Sequence, residues 1–305
     1  MQKIGFIGLG NLGFHLANSL LRAGFPLTVF DLNRAAAEPL LQAGAAWATS
    51  PMDLARQVET VMTCLPSPKA VTAVVAGENG ILHGLQRGGT WIDMSTNDFH
   101  ELQRLAGLAA EKGVNCLEAP VTGGVHKAAS GEITVMVAGE QVVYEAHLPA
   151  FKAMGGQVFY MGPLGKASII KVITNMLAFI HLVAVGEALM LAKRGGIDLA
   201  QAFAVIKASS GNSFVHETES QVILNGSYNI GFTMDLACKD LHFAHELGRE
   251  FGVPLDLASM TQQTFIRARS QYGGQAWSSQ VVKLLEDAVG TNLRAPGFPE
   301  VLTAE

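Results

Sequence analysis

The chain has 305 residues, 49% of them hydrophobic and 15% charged, with a formal net charge of −5. That length suits about two domains with sizeable cores, and the acidic balance excludes the basic footprint of a nucleic-acid-binding protein. Cys64, Cys116 and Cys238 are widely spaced and form no CxxC pair, so they read as reduced thiols in a cytoplasmic protein rather than a disulfide framework or a zinc site.

Residues 4–7, Ile-Gly-Phe-Ile, form a short apolar strand pattern with no signal-peptide layout before it. Gly8-Leu9-Gly10-Asn11-Leu12-Gly13 follows at once and opens a helix to about Ala23, where Gly24 stops it. Residues 27–30 are the second strand, closed by Asp31. A GxGxxG run gains its weight from this setting, between a strand and a helix with an acid after the next strand. Gly8 permits the tight turn, Gly10 admits a pyrophosphate against the backbone, and Gly13 lets the helix pack on the sheet. The helix N-terminus offers N–H groups and a positive dipole end to the phosphates. Asp31 would accept hydrogen bonds from the adenosine ribose and repel a 2′-phosphate. NAD is therefore the expected cofactor, with NADP left open by the nearby Arg34. The competing reading is a glycine-rich structural turn with Asp31 as a helix cap.

The alternation continues with helices at 35–43, 52–56 and 98–112 and strands at 60–64, 90–94 and 114–118. Strands alternating with helices predict a doubly wound parallel sheet. Ligands in such sheets lie beyond the carboxyl ends of the strands. Leu65, Pro66 and Thr96 fall at such ends and are expected to line the cofactor, unless they serve only as turns. Ala119-Pro120-Val121-Thr122-Gly123-Gly124 ends the next strand. A hydroxyl followed by two glycines can present consecutive N–H groups to an anion, here a substrate carboxylate held by Thr122, Gly123 and Gly124. Further elements are a strand at 132–139, a helix at 142–154 and a strand at 157–161.

A glycine loop at 162–165 then opens a long helix. Lys171 stands among Ile169, Ile170, Val172 and Ile173, while its own face carries Ala167, Ser168, Thr174, Asn175 and Ala178. A greasy helix with one small, polar stripe fits a cleft-lining helix. A desolvated lysine beside an amide can work as a proton donor or acceptor. The alternative is a lysine that snorkels to solvent. Residues 176–192 are apolar but interrupted by His181 and Glu187, which favours a core or subunit-interface helix over a membrane span. Beyond this point the pattern is helical only, to about 193, then from Asp198 to about 208, from the 209–213 loop onward, and over 234–251 and 256–270. The expected organisation is an α/β dinucleotide domain at 1–162, an all-α domain at 163–292 for substrate binding and oligomerisation, and a loose tail at 293–305. His242 and His245 share a helix face, but no third ligand accompanies them, so they read as surface histidines and no metal is expected.

These stretches together resemble the β-hydroxyacid dehydrogenase family, which includes 3-hydroxyisobutyrate dehydrogenase and tartronate semialdehyde reductase. The resemblance spans nearly the whole chain. Residues 5–13 look like the dinucleotide motif, 119–124 like the substrate motif, and 162–175 like the catalytic motif, which places the family's lysine at Lys171 and its asparagine at Asn175. Phe232 with Lys239-Asp240-Leu241 looks like the C-terminal cofactor motif, which closes over the nicotinamide side. Thr122 replaces the usual serine, Ala167 a usual glycine, and Lys127-Ala128, after His126, the usual Gly-Ala pair. These departures fall at the substrate end.

The resemblance implies an oxidoreductase that moves a hydride between a nicotinamide cofactor and a small 3-hydroxy acid. Lys171 would exchange the hydroxyl proton, and Asn175 would fix the lysine and the substrate oxygen. It also implies a homodimer or homotetramer acting on a small carboxylate, with no nucleic-acid or membrane partner. Lys127, beside the carboxylate loop, would contact a second anionic or polar group on a larger substrate, or remain a solvated surface lysine. Two other readings stand beside this one. An imine reductase on the same scaffold generally lacks the lysine, and a dinucleotide-binding scaffold without turnover would have lost it.

Overall fold

The computed structural model describes residues 2–303; positions 1, 304 and 305 of the expected first domain and tail lie outside the described residues. The chain divides into two compact units, with the division between Lys171 and Val172. That division falls inside the long helix rather than in the 162–165 loop. The helix's first turn belongs to the first unit, where Ala167 is fully buried with Met136 and Ala138.

The first unit runs β1 (Ile4–Ile7), α1 (Gly13–Arg22), β2 (Leu27–Phe30), α2 (Glu38–Gln42), β3 (Ala46–Trp47), α3 (Pro51–Arg56), β4 (Thr60–Thr63), α4 (Pro68–Ala76), β5 (Thr90–Asp93), α5 (Phe99–Glu111), β6 (Asn115–Glu118), β7 (Val121–Thr122), α6 (Gly124–Ser130), β8 (Ile133–Gly139), α7 (Gln141–Met154) and β9 (Gly155–Tyr160). Its strands form one sheet in the order β3-β2-β1-β4-β5-β6-β8-β7, with β9 also on β8. Strands β3 through β6 are parallel neighbours. The Rossmann-like doubly wound arrangement is as the alternation predicts.

Burial explains why the central strands read as unbroken apolar runs. Phe6, Met62 and Ile92 pack into one core with Leu16, Leu20 and Phe151. Their chain neighbours Ile7, Val61 and Trp91 pack into another with Leu54, Val71 and Leu102. Successive strand side chains point to opposite faces, so a sheet covered on both faces needs apolar residues at every position.

The far edge departs from the predicted parallel sheet. β8 pairs antiparallel with β6 through Leu117↔Gly139 and Glu118↔Ala138, and β7 pairs antiparallel with β8. Pro120 has no N–H to continue a ladder, so the run 119–124 is split from β6. Its Val121–Thr122 forms a separate short strand instead of extending the previous one. The short β3 and the helices α4 and α6 are additional elements that the alternation alone does not reveal.

The second unit is helical. Helix α8 (Lys166–Arg194) begins in the first unit and continues into the second. It is followed by α9 (Leu199–Lys207), α10 (Phe214–Asn225), α11 (Met234–Phe251), α12 (Asp256–Tyr272) and α13 (Lys283–Val289). Phe179, Leu182 and Leu189 of α8 join Ile223, Leu241 and Phe265 in its core. By length and composition α8 could cross a membrane, with a mean hydropathy of 1.9, and 39% of that window is buried. Exposed apolar residues of α8 include Ile173, Leu177 and Leu191.

The tail is anchored rather than loose. Leu293 is fully buried, the Ala295 N–H donates to the Leu224 carbonyl at 3.0 Å, and Asn225 Nδ2 donates to the Phe298 carbonyl at 2.9 Å. The cause is a buried acid. Glu286 accepts from the Leu293 N–H at 2.7 Å and from Arg294 Nη1 at 3.0 Å, and it also accepts a hydrogen bond from the Tyr228 hydroxyl. The two prolines of the tail, Pro296 and Pro299, give no sign of this ionic clamp.

Candidate active site

The turn between β1 and α1 shows a different requirement at each glycine. Gly8 has φ +98°, and a Cβ there would strike the Cys64 backbone carbonyl. A Cβ on Gly13 would strike the Gly8 carbonyl and approach Cys64 Cβ at 3.3 Å. Those two glycines are needed for the fold itself. Gly10 is otherwise, because a Cβ there would meet nothing within 4 Å. Its lack of a side chain leaves open space in front of the backbone, where the sequence expects a pyrophosphate. No side chain caps α1, in contrast to α3, α4 and α5, which are capped by Ser50, Ser67 and Asp98. An uncapped helix start beside open space suits an anion.

Asp31 closes the cradle from β2. Its Oδ2 accepts the Leu9 N–H at 2.7 Å, and its Oδ1 accepts the Asn33 N–H at 2.7 Å. The carboxylate thus locks the turn 9–13, which also contains Asn11 and Leu12, and keeps lone pairs for a ribose. These residues fit the adenosine and pyrophosphate of a dinucleotide.

The carboxyl ends of β4 and β5 are tied together by a buried network. Asp93, 1% exposed, accepts from Thr63 Oγ1 at 3.0 Å, from the Ser95 N–H at 3.1 Å and from Asn97 Nδ2 at 2.9 Å. Trp91 Nε1 donates to Thr63 Oγ1 at 3.0 Å, and the Leu65 N–H donates to Ser95 Oγ at 2.9 Å. Burial pushes the Asp93 carboxyl above its ordinary range, against the hydrogen bonds from Ser95, Asn97 and Thr63. Leu65 is held directly by this network, and Pro66 and Thr96 are chain neighbours of its members. Sequence reading named those lining residues but not Asp93, whose position at the end of an apolar strand was the available signal.

Thr122 pairs with Thr134 across β7 and β8. Gly123 and Gly124 follow with φ +125° and +85°, a conformation open to glycine alone at little cost. No side chain caps α6. The His126 imidazole stands against Gly124, about 3.0 Å from where a Cβ would lie. Burial, then the adjacent Lys127 charge, lowers the His126 pKa. Lys127 itself pairs with Glu132, Nζ to Oε2 at 3.3 Å, on the exposed surface.

Lys171 lies on the second turn of α8 and is 8% exposed. Its charge acts on the Cys64 thiol at the end of β4. That thiol is pushed up to about 12, chiefly by burial, then by the Asp93 charge, with Lys171 opposing both. The lysine is therefore buried within electrostatic reach of Cys64, the residue that follows β4 and borders Gly8 and Gly13. A snorkelling lysine would keep its ammonium in water.

In the second unit, Asn175 is one helical turn beyond Lys171 and also buried. Its Nδ2 donates to Asp240 Oδ2 at 2.6 Å, and Lys239 Nζ donates to Asp240 Oδ1 at 2.7 Å. Asp240, 1% exposed, fixes both side chains. Phe232 packs its ring 6.0 Å from that of Phe179. His242 pairs with Glu246 at 3.4 Å on the helix surface.

Comparison with known proteins matches this geometry to two family descriptions. Residues 3–162 match the NAD-binding domain of 6-phosphogluconate dehydrogenase, and residues 165–285 match the NAD-binding region of NADP-dependent 3-hydroxyisobutyrate dehydrogenase. The chain belongs to the β-hydroxyacid dehydrogenase family. It is similar to 2-(hydroxymethyl)glutarate dehydrogenase of Eubacterium barkeri, with 32% identity over 95% of this chain and 97% of that protein. It is also similar to L-threonate dehydrogenase of Cupriavidus necator, with 34% identity over 93% of this chain and 96% of that one. A crystal structure of 3-hydroxyisobutyrate dehydrogenase from Salmonella typhimurium aligns with a TM-score of 0.87 and 31% identity, covering 93% of this chain and all of that one. Members of this family are NAD-binding hydroxyacid dehydrogenases, and the chain's cofactor is NAD or NADP.

Proposed function

We propose that the chain oxidises a small 3-hydroxy acid, or reduces the matching carbonyl, with Lys171 as the proton acceptor or donor. The observation that carries this reading is the burial of Lys171 within electrostatic reach of Cys64, on a helix whose polar stripe continues to Asn175. The dinucleotide, when bound, supplies or accepts the hydride. Gly8, Leu9, Gly10, Asn11, Leu12 and Gly13 would hold its pyrophosphate. Asp31 would hold its ribose and repel a 2′-phosphate, which favours NAD. Leu65, Pro66 and Thr96 would line it, and Phe232 and Lys239 would cover its nicotinamide side.

Thr122, Gly123 and Gly124 would hold the substrate carboxylate, which places the carbinol oxygen toward Lys171. In oxidation Lys171 takes the hydroxyl proton; in reduction it gives one to the carbonyl oxygen. Asn175, itself oriented by Asp240, would fix the substrate oxygen. Lys127 would meet a second anionic group on a longer substrate by leaving Glu132. An imine reductase or a scaffold without turnover has no use for a lysine buried at this place.

The exposed apolar stripe of α8, with Ile173, Leu177 and Leu191, would be covered by a second copy in a homodimer or homotetramer. We expect a cytoplasmic enzyme.

The deciding experiment follows nicotinamide absorbance with NAD and NADP in turn, across 3-hydroxy acids that include hydroxyisobutyrate, serine, glycerate and longer dicarboxylates. Lys171→Ala should keep dinucleotide affinity and lose about 10²–10⁴ in kcat, the usual contribution of a positioned acid–base group. Wild-type turnover that survives in Lys171→Ala would overturn the assignment of the proton step. Binding of dinucleotide without turnover of any panel member would favour the scaffold reading.

A further inference from the structure

Glu118 is the last residue of β6 and is 1% exposed. Its side chain reaches the start of α8. Oε1 accepts the Gly165 N–H at 2.5 Å and the Ala167 N–H at 3.0 Å. Oε2 accepts the Ser168 N–H at 3.1 Å and also bonds Ser168 Oγ. A helix begins with N–H groups that have no intrahelical partner. At α8 they are met by a carboxylate 47 to 50 residues earlier in the chain.

Two distances in sequence give this contact its meaning. Thr122 of the carboxylate loop is four residues after Glu118, and Lys171 is three residues, nearly one turn, after Ser168. We propose that Glu118 is a positioning residue that sets the distance between the carboxylate loop and Lys171. The inference rests on the dehydrogenase reading for its catalytic consequence, though not for the contact itself.

The donor set suits the ionised acid. Three of the four partners are backbone N–H groups, which can only donate. A carboxylate accepts from all of them at both oxygens, whereas an amide has one acceptor oxygen and would turn a donor toward the Ser168 N–H. Burial raises the Glu118 pKa, while Ser168, Ala167 and Gly165 oppose it through these same bonds. Where a side chain caps another helix start in the described residues, as Asp98 and Ser213 do, it comes from the residue just before that helix. A local cap fixes a helix to its own loop. This one fixes α8 to the sheet beside the carboxylate loop. The dinucleotide turn lies elsewhere, because β1 is separated from β6 by β4 and β5.

The test uses the full chain with Glu118→Gln and Glu118→Asp. In Glu118→Gln, NAD affinity should stay within about twofold and kcat should fall at least about 30-fold, because small misplacements of a catalytic group cost up to about 10². KM should change far less than kcat. Glu118→Asp keeps the charge and should recover part of the lost kcat. Hydrogen exchange of the amides at 165, 167 and 168 should quicken in Glu118→Gln, and this readout needs no turnover. If the wild type turns over no 3-hydroxy acid while exchange quickens locally, the dehydrogenase reading falls and the tie stands. Wild-type kcat or unchanged local exchange in Glu118→Gln would overturn the proposal, as would equal losses of NAD affinity and kcat. If Glu118→Gln does not fold, Ser168→Ala removes one donor and leaves the charge. It should lower kcat about threefold or more with NAD affinity retained, and wild-type kcat there would refute the tie.

Discussion

Replacing Gly10 and Gly13 separately by alanine distinguishes a cofactor cradle from a structural turn. Gly10 is absent from the glycines with positive φ, and its added Cβ meets nothing within 4 Å. Gly10→Ala should therefore fold normally, and restriction of the unfolded chain would stabilise it by about 0.4–1 kcal/mol. The same methyl would stand in the space left for a pyrophosphate. Loss of that close approach should weaken dinucleotide binding at least tenfold, about 1.4 kcal/mol. Gly13→Ala has the opposite signature. Its Cβ would overlap the Gly8 carbonyl, a backbone atom that cannot swing aside. Overpacking of this kind costs about 1–3 kcal/mol, so the apo protein should melt early. Calorimetric titration with NAD and thermal melts of both variants read the two effects. A Gly10→Ala protein that binds NAD like the wild type would refute the cradle, whatever its stability.

Lys127→Gly should leave turnover of short substrates unchanged and lower that of dicarboxylates, read as kcat/KM; an unaltered substrate ranking would remove Lys127 from the site. Glu219, with Oε2 enclosed and unpartnered, has its pKa raised by burial from 4.5 to about 8. Between those values the unfolded chain ionises before the folded one, so stability falls as pH rises through that window. At pH 7 the difference is about 2.5 units at ~1.4 kcal/mol each, on the order of 3 kcal/mol. Glu219→Gln should remove this slope and melt higher than wild type at pH 7 but not at pH 4, and parallel pH–stability curves would contradict it. Leu177→Glu should shift the protein to a smaller species by light scattering, and an unchanged mass would exclude the α8 stripe as a subunit contact.

Features fixed by neighbours in sequence were legible, and features fixed across the fold were not. The β1–turn–α1 unit and Asp31 could be read because every contact is local to one βαβ unit. Lys171 stood out because one charge interrupts an apolar helix. Glu118 and Asp93 were invisible for the opposite reason. Each ends a strand as an ordinary acid, and its role appears only when distant donors converge on it. The antiparallel entry of β8 was hidden because strand polarity is a property of the connection, with Pro120 the one local hint. The tail's anchoring was hidden because Pro296 and Pro299 suggest an irregular segment, while Arg294 reveals its role only by docking on the buried Glu286.

Close glycine packing and buried carboxylates hold different parts of the first unit. At the β1–α1 turn, Gly8 and Gly13 press against backbone carbonyls and the Asp31 carboxylate accepts the Leu9 N–H, so a side chain at either of those two glycines disturbs the fold. The carboxyl ends of β4 and β5 and the first turn of α8 are held by buried carboxylates, Asp93 and Glu118, each surrounded by donors. A buried carboxylate saturated by donors is a poor proton carrier, because moving its charge would leave several N–H groups unpaired. Their satisfied state suits these acids to holding geometry, and on the proposed function it leaves proton exchange to Lys171. On the proposed function, the departures at Thr122, His126 and Lys127, which lie outside these carboxylate clamps, would change the substrate without loosening the lysine or the cofactor turn.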